Sequence, residues 1–220
     1  MARMEIPLFP LKTVLFPGGH LPLAIFEERY RTMTRELLDQ GGVFGVVLIK
    51  HGNEVGGGAV PHDVGTTATI EEAEEMEGGR IRLRAMGRQR FRLLRSLPPR
   101  PYPYGEVELI DDSDEPPTPR LKKALETVRV TFPGYFKMAF SLTDQWARPP
   151  ELPARPHELV DATAQWLQTD EEVKQRLLEI IPAADRLAAL AEVLDDLTAR
   201  TREEVLVYRR RKFAGFGAQN

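Results

Sequence analysis

A chain of 220 residues with 42% apolar side chains can bury one large core or two small ones, and its formal charge of −3 gives no global field for drawing in nucleic acid or an anionic membrane. The absence of cysteine excludes disulfides, thiolate catalysis and cysteine-ligated zinc. The opening Met-Ala-Arg-Met-Glu-Ile-Pro lacks the basic-then-apolar order of an export signal, and the longest apolar run, Val43 to Ile49, is far too short to span a bilayer, so the expected location is cytoplasmic.

Ile6 to Met33 sets proline-punctuated apolar segments directly against an amphipathic helix. Within that helix Phe26, Tyr30, Met33 and Leu37 recur at helical spacing, and Gly41-Gly42 supplies the stop. Val43 to Lys50 reads as a buried strand, His51 to Gly58, with four glycines, as a flexible loop, and Gly65 to Glu72 as the next strand. After a turn at Gly78-Gly79, Ile81, Leu83 and Ala85 alternate with Arg80, Arg82 and Arg84, the period of a strand with one face in the core and one in water. Gly87 is expected to bend or bulge that strand, Arg88 to Leu94 to resume it, and Tyr104 to Ile110 to close the sheet.

Proline clusters at 98–103 and 116–119 flank the last strand, and the second marks the expected domain boundary: a β-rich module at 1–114 and a helical module at 115–220. Beyond it Leu121, Ala124, Leu125, Val128 and Phe132 form one helical stripe, with Thr118 as N-cap and Pro119 in the first turn. Pro133 is expected to kink or end this helix. A short helix follows near His157 to Leu167, and Thr169-Asp170-Glu171-Glu172 reads as a capping box for a helix that stops before Pro182. The last helix carries Leu187, Leu190, Leu194, Leu197, Val205 and Tyr208 on one side.

Pro7-Leu8-Phe9-Pro10-Leu11, Phe16-Pro17-Gly18 and Pro22-Leu23-Ala24-Ile25-Phe26-Glu27, in that order, resemble the opening of the N-terminal domain of Lon-type ATP-dependent proteases. Val64-Gly65-Thr66-Thr67-Ala68, Gly87-Arg88-Gln89-Arg90-Phe91, Gln175 to Glu179 and Arg186-Leu187 extend the likeness from about Ile6 to Leu197. The resemblance implies an α+β fold, a PUA-like β-barrel followed by a helical bundle. It also implies a role in recognising and holding polypeptide while other domains unfold and cut. No ATPase or protease sequence accompanies it here, so the expectation is a free-standing, non-catalytic polypeptide-binding or adaptor protein without cofactor, working with a protease or chaperone.

The residues also bear on two rival functions. PUA-like barrels bind RNA in other families, and Arg80, Arg82, Arg84, Arg88, Arg90, Arg92 and Arg95 form a dense basic run. Against that, the glutamates of 71–77 lie just across a turn, where antiparallel pairing would neutralise the arginines, and Phe91 is the run's lone aromatic. A cryptic hydrolase could use Ser141 one helical turn from Lys137, but no third catalytic group or oxyanion turn accompanies them. Gly52 to Gly58 lack the lysine of a phosphate loop, and His20, His51, His62 and His157 lack metal-ligand spacing, though His51 and His62 could approach if their strands pair. For polypeptide binding, the aromatic group Tyr102, Tyr104, Phe132, Phe136 and Phe140 is the candidate site, with interdomain core as the alternative use of the same rings.

Overall fold

The computed structural model of the chain describes residues 2–113, 115–143 and 147–213, and over these it forms six strands and five α-helices, an α+β fold. In chain order they are β1 (Arg3–Leu11), β2 (His20–Ile25), α1 (Glu28–Gln40), β3 (Phe44–His51), β4 (Val60–Glu75), β5 (Ile81–Leu97) and β6 (Tyr104–Leu109). The helices α2 (Pro119–Ser141), α3 (Pro156–Ala164), α4 (Glu171–Glu179) and α5 (Ala183–Phe213) follow. Two units result: Met1–Ser113 with Asp170–Ile181, and Asp114–Thr169 with Pro182–Asn220.

In the first unit the strand order is β2-β5-β4-β3-β1-β6, and a further β5–β6 pairing closes β5, β4, β3, β1 and β6 into a barrel. Only β1 with β3 is parallel among these pairs. The long β5 serves two neighbours on one edge: residues 81–86 pair with β2, and 91–97 with β6. Its period-two pattern is as read from the sequence, with Ile81, Leu83 and Ala85 buried and Arg82 and Arg84 exposed. The acidic and basic runs lie opposite each other, Glu72 against Arg84 and Glu74 against Arg82.

At Gly87 the β4–β5 register slips, which is the expected bulge. Gly87 donates to the Gly19 carbonyl at 2.9 Å and accepts from the Gly18 N–H at 2.9 Å, and a Cβ on it would stand 2.3 Å from the Phe16 carbonyl oxygen. Only glycine permits that approach. Ile6, Leu8, Val47, Phe91 and Val107 form one buried cluster, and Phe9, Leu11, Phe44 and Leu83, on the other face of the strands, form a second with Tyr30 and Met33 of α1.

The single division expected at 114/115 would leave residues 170–181 with the helices, but α4 belongs to the barrel unit. Gln175 donates to the Val64 carbonyl at 3.0 Å, and the Glu171 carboxylate accepts the Val14 N–H at 2.6 Å. Arg90, fully buried, forks onto the Asp112 carboxylate and donates to the carbonyls of Leu178 at 2.6 Å and Ile180 at 2.7 Å. A buried guanidinium must satisfy every donor, and the carbonyls at the end of α4 have no partners within their own helix. The expected capping box is also corrected: the N-cap is Asp170, without a side-chain bond, because Glu171 and Glu172 reach instead toward Val14 and His62.

In the second unit Thr118 caps α2 as expected, accepting from the Leu121 N–H at 3.1 Å with Pro119 in the first turn. The helix does not end at Pro133 but continues to Ser141. Leu121, Val128, Phe132, Tyr135 and Phe136 of α2 are buried, as are Leu187, Leu190 and Leu194 of α5. A buried Arg186–Asp161 pair at 2.6 Å links α5 to α3. No helix among the described residues is long and apolar enough to cross a membrane.

Candidate functional site

In the barrel unit an apolar groove of about 250 Å³ runs beside β2. Phe9 and Leu11 of β1 line one side, and every residue from Leu21 to Glu27 lines the other. Beneath it Phe9 stacks on Tyr30 with ring centroids 4.1 Å apart, and the Arg29 guanidinium lies 4.5 Å from the Tyr30 ring centroid. Burial, opposed by Arg29 and reinforced by Glu27 and Glu54, pushes the Tyr30 phenol up to about 12.

The loop between β3 and β4 forms part of the rim, with Glu54 and Val55 lining the groove. It is fastened by Lys12 N–H to the Glu54 carboxylate, by Arg29 to the Glu54 carbonyl at 3.1 Å, and by Gly56 N–H to the Glu27 carboxylate at 3.3 Å. Gly56, Gly57 and Gly58 have φ of 90°, 91° and 77°, the left-handed region that favours glycine, which explains the glycine run without a phosphate. Phe26 and Val55 are 57% and 55% exposed at the groove, the large apolar residues that a ligand could cover. Its lining is mostly apolar, with Phe9, Leu11, Leu21, Leu23, Phe26 and Val55 placed to contact apolar side chains.

The five aromatic residues singled out from the sequence fall in different units. Tyr102 is buried in the barrel, hydrogen-bonded to Glu36, with its ring centroid 5.9 Å from that of half-buried Tyr104, over which Arg100 lies at 4.6 Å. In the helical unit Phe132 and Phe136 are core, 0% and 2% exposed. Phe140 keeps an accessible edge, stacked on Phe136 at 4.3 Å with Trp166 at 6.0 Å. Phe140, Leu142 and Leu197 also line a cavity of about 420 Å³ whose polar lining includes Arg200 and Glu204.

Ser141 donates to the Met138 carbonyl at 2.7 Å. His62 lies with its ring nitrogens 3.4 and 3.3 Å from Glu172 and Glu179, not beside a second histidine. No group of histidines and carboxylates among the described residues has metal-holding geometry. The arginine run is largely engaged: Arg82 with Glu74 at 3.7 Å, Arg84 with Glu72 at 2.7 Å, Arg95 with Glu106 at 2.5 Å, Arg88 on the Thr69 hydroxyl at 2.8 Å, and Arg90 buried on Asp112 and the carbonyls of Leu178 and Ile180. Sequence reasoning did not single out Phe26, Val55 or the edge of β2 as a site. The signal was Pro22, since proline inside a strand marks an edge.

The sequence model of the ATP-dependent protease La (LON) substrate-binding domain matches residues 5–196. Lon protease 2 of Myxococcus xanthus is 28% identical over 204 residues, covering 86% of this chain and 23% of that protein. The chain spans about a quarter of the length of the curated relatives it matches first. Among solved structures, a Lon N-terminal domain protein from Xanthomonas campestris superposes with a TM-score of 0.64 at 29% identity, over 85% of this chain and 96% of that one. The N-terminal domain of a Mycobacterium avium complex Lon protease does so with a TM-score of 0.60, over 89% and 98%, at 18% identity, and so shares the fold.

Proposed function

This chain belongs to the family of the ATP-dependent protease La (LON) substrate-binding domain, and on that footing we propose that it captures unfolded polypeptide, without chemistry of its own, through the groove beside β2. The observation that carries the reading is Phe26 and Val55, exposed at a groove whose far side is lined by Phe9 and Leu11. A volume of about 250 Å³ suits one or two apolar side chains better than a cofactor or metabolite, whose sites usually exceed about 300 Å³. A second contact surface is favoured by the accessible edge of Phe140 at the cavity of the helical unit, where Arg200 and Glu204 could orient a passing chain. A protease or chaperone that receives the captured chain fits this role.

Capture of a permanently unfolded, fluorescent client, followed by anisotropy, tests both surfaces. Phe26→Ser and Val55→Ser are each expected to weaken it by about 1–2 kcal/mol, some five- to thirtyfold, as apolar anchors do. Phe140→Ser reports the second surface in the same way. Undiminished capture by the Phe26/Val55 double variant, with its fold verified by circular dichroism, removes the groove from the function.

A further inference from the structure

We propose that the groove takes its polypeptide as an added β-strand, an extended segment with apolar residues at alternate positions, hydrogen-bonded to the outer edge of β2. This rests on the polypeptide reading above and gives it a binding mode and a sequence class. Among the described residues β2 pairs on one edge alone, with β5, from His20 opposite Met86 to Ile25 opposite Ile81. Just before the strand, the Gly19 carbonyl accepts from Gly87 of β5 at 2.9 Å. Backbone direction alternates along a strand, so Leu21, Leu23 and Ile25 also turn theirs toward β5, and His20, Pro22 and Ala24 turn theirs outward.

Pro22 agrees with this phase, since proline fits a strand where its missing N–H faces away from the sheet. The outer edge therefore offers the N–H groups of His20 and Ala24 and the carbonyls of His20, Pro22 and Ala24. The groove is lined by consecutive residues of β2, from both of its faces, which places it along that edge. Across it stand Phe9 and Leu11, on a strand that past Pro7 pairs with β3 and no longer with β6. An added strand would hold every second side chain over Phe9 and Leu11 and the others in water. Main-chain bonds serve any sequence, which suits a receptor for unfolded chains. A second copy of β2 is the poorer occupant, because pairing through Pro22 lacks a donor in both strands.

The test uses the full chain and a fluorescent nine-residue peptide of alternating valine and threonine with lysine at each end. N-methylation of the threonine amides is expected to weaken binding about tenfold per bond lost while N-methylation of the valine amides changes it less than about twofold, because in antiparallel addition the solvent-facing residues bond β2. The reverse pattern equally supports strand addition, in the parallel sense. Ala24→Pro removes an outward N–H and is expected to weaken the unmodified peptide about tenfold with no change in thermal melting. An equal response at both sets of amides, including no response, overturns strand addition but leaves the apolar groove as the binding surface. Failure of every peptide to bind overturns both.

Discussion

Arg90 is a fully buried cation, kept by a carboxylate and two carbonyls that come from distant parts of the chain. Replacing it with methionine keeps the volume but strips the donors from Leu178 and Ile180 and the guanidinium from Asp112. Arg90→Met is expected to lower unfolding free energy by about 3–5 kcal/mol, read as a shifted midpoint in urea. Tyr30 and Tyr102 carry a different signature. Burial is the main cause in both, helped in Tyr102 by its bond to Glu36, and both phenols are pushed up to about 12. A folded-state value above the unfolded one means that the unfolded chain loses the proton first, so this contribution is intact below about pH 10 and is lost as pH rises toward 12. Stability is expected to fall over that interval, with slope up to about 1.4 kcal/mol per pH unit for each tyrosine. Tyr30→Phe is expected to flatten the slope, measured by denaturant titration at a series of alkaline pH values.

Among the elements, α2 holds a built-in weakness: Pro133 lacks the N–H that would bond the Arg129 carbonyl, and Gly134 follows it in the helix interior. Gly134 has open space where a Cβ would go and no positive φ, so Gly134→Ala is expected to add about 0.5–1 kcal/mol, seen as a higher melting temperature. Where an element's signal is local, it was legible. Alternation along β5, the Thr118 cap and the bulge at Gly87 each follow from a few neighbouring residues. The capping box at Thr169 failed because Glu171 and Glu172 had longer-range partners, Val14 and His62, that no local pattern reveals. The same limit hid the allegiance of α4, whose anchors at Val64 and Arg90 lie far away in sequence. Of the proposed aromatic site, Phe132 and Phe136 are core, because neither a density of aromatic residues nor the place of Phe132 in a helical stripe says what covers the rings. The groove escaped notice because its walls, β1 and β2, both contain proline and read locally as irregular.

For the molecule as a whole, the near balance of charge is local as well as global, with glutamates set against the arginines of β5. Single-stranded RNA is therefore expected not to be retained on a filter by micromolar protein at about 0.15 M salt, where unpaired surface charge is screened beyond about 8 Å. Robust retention there, lost on reversing Arg82 and Arg84, would restore a nucleic-acid role. The reach of Arg90 also sets an order of events during synthesis. Its barrel strands are complete once Leu109 has been made, yet two of its acceptors lie about 70 residues further on, roughly 4–14 s at about 5–20 residues per second. During that interval the nascent barrel cannot seat Arg90 on Leu178 and Ile180. A chain broken off before Ile180 is left with a guanidinium lacking part of its acceptor set, and its barrel is expected to be less stable than that of the full chain.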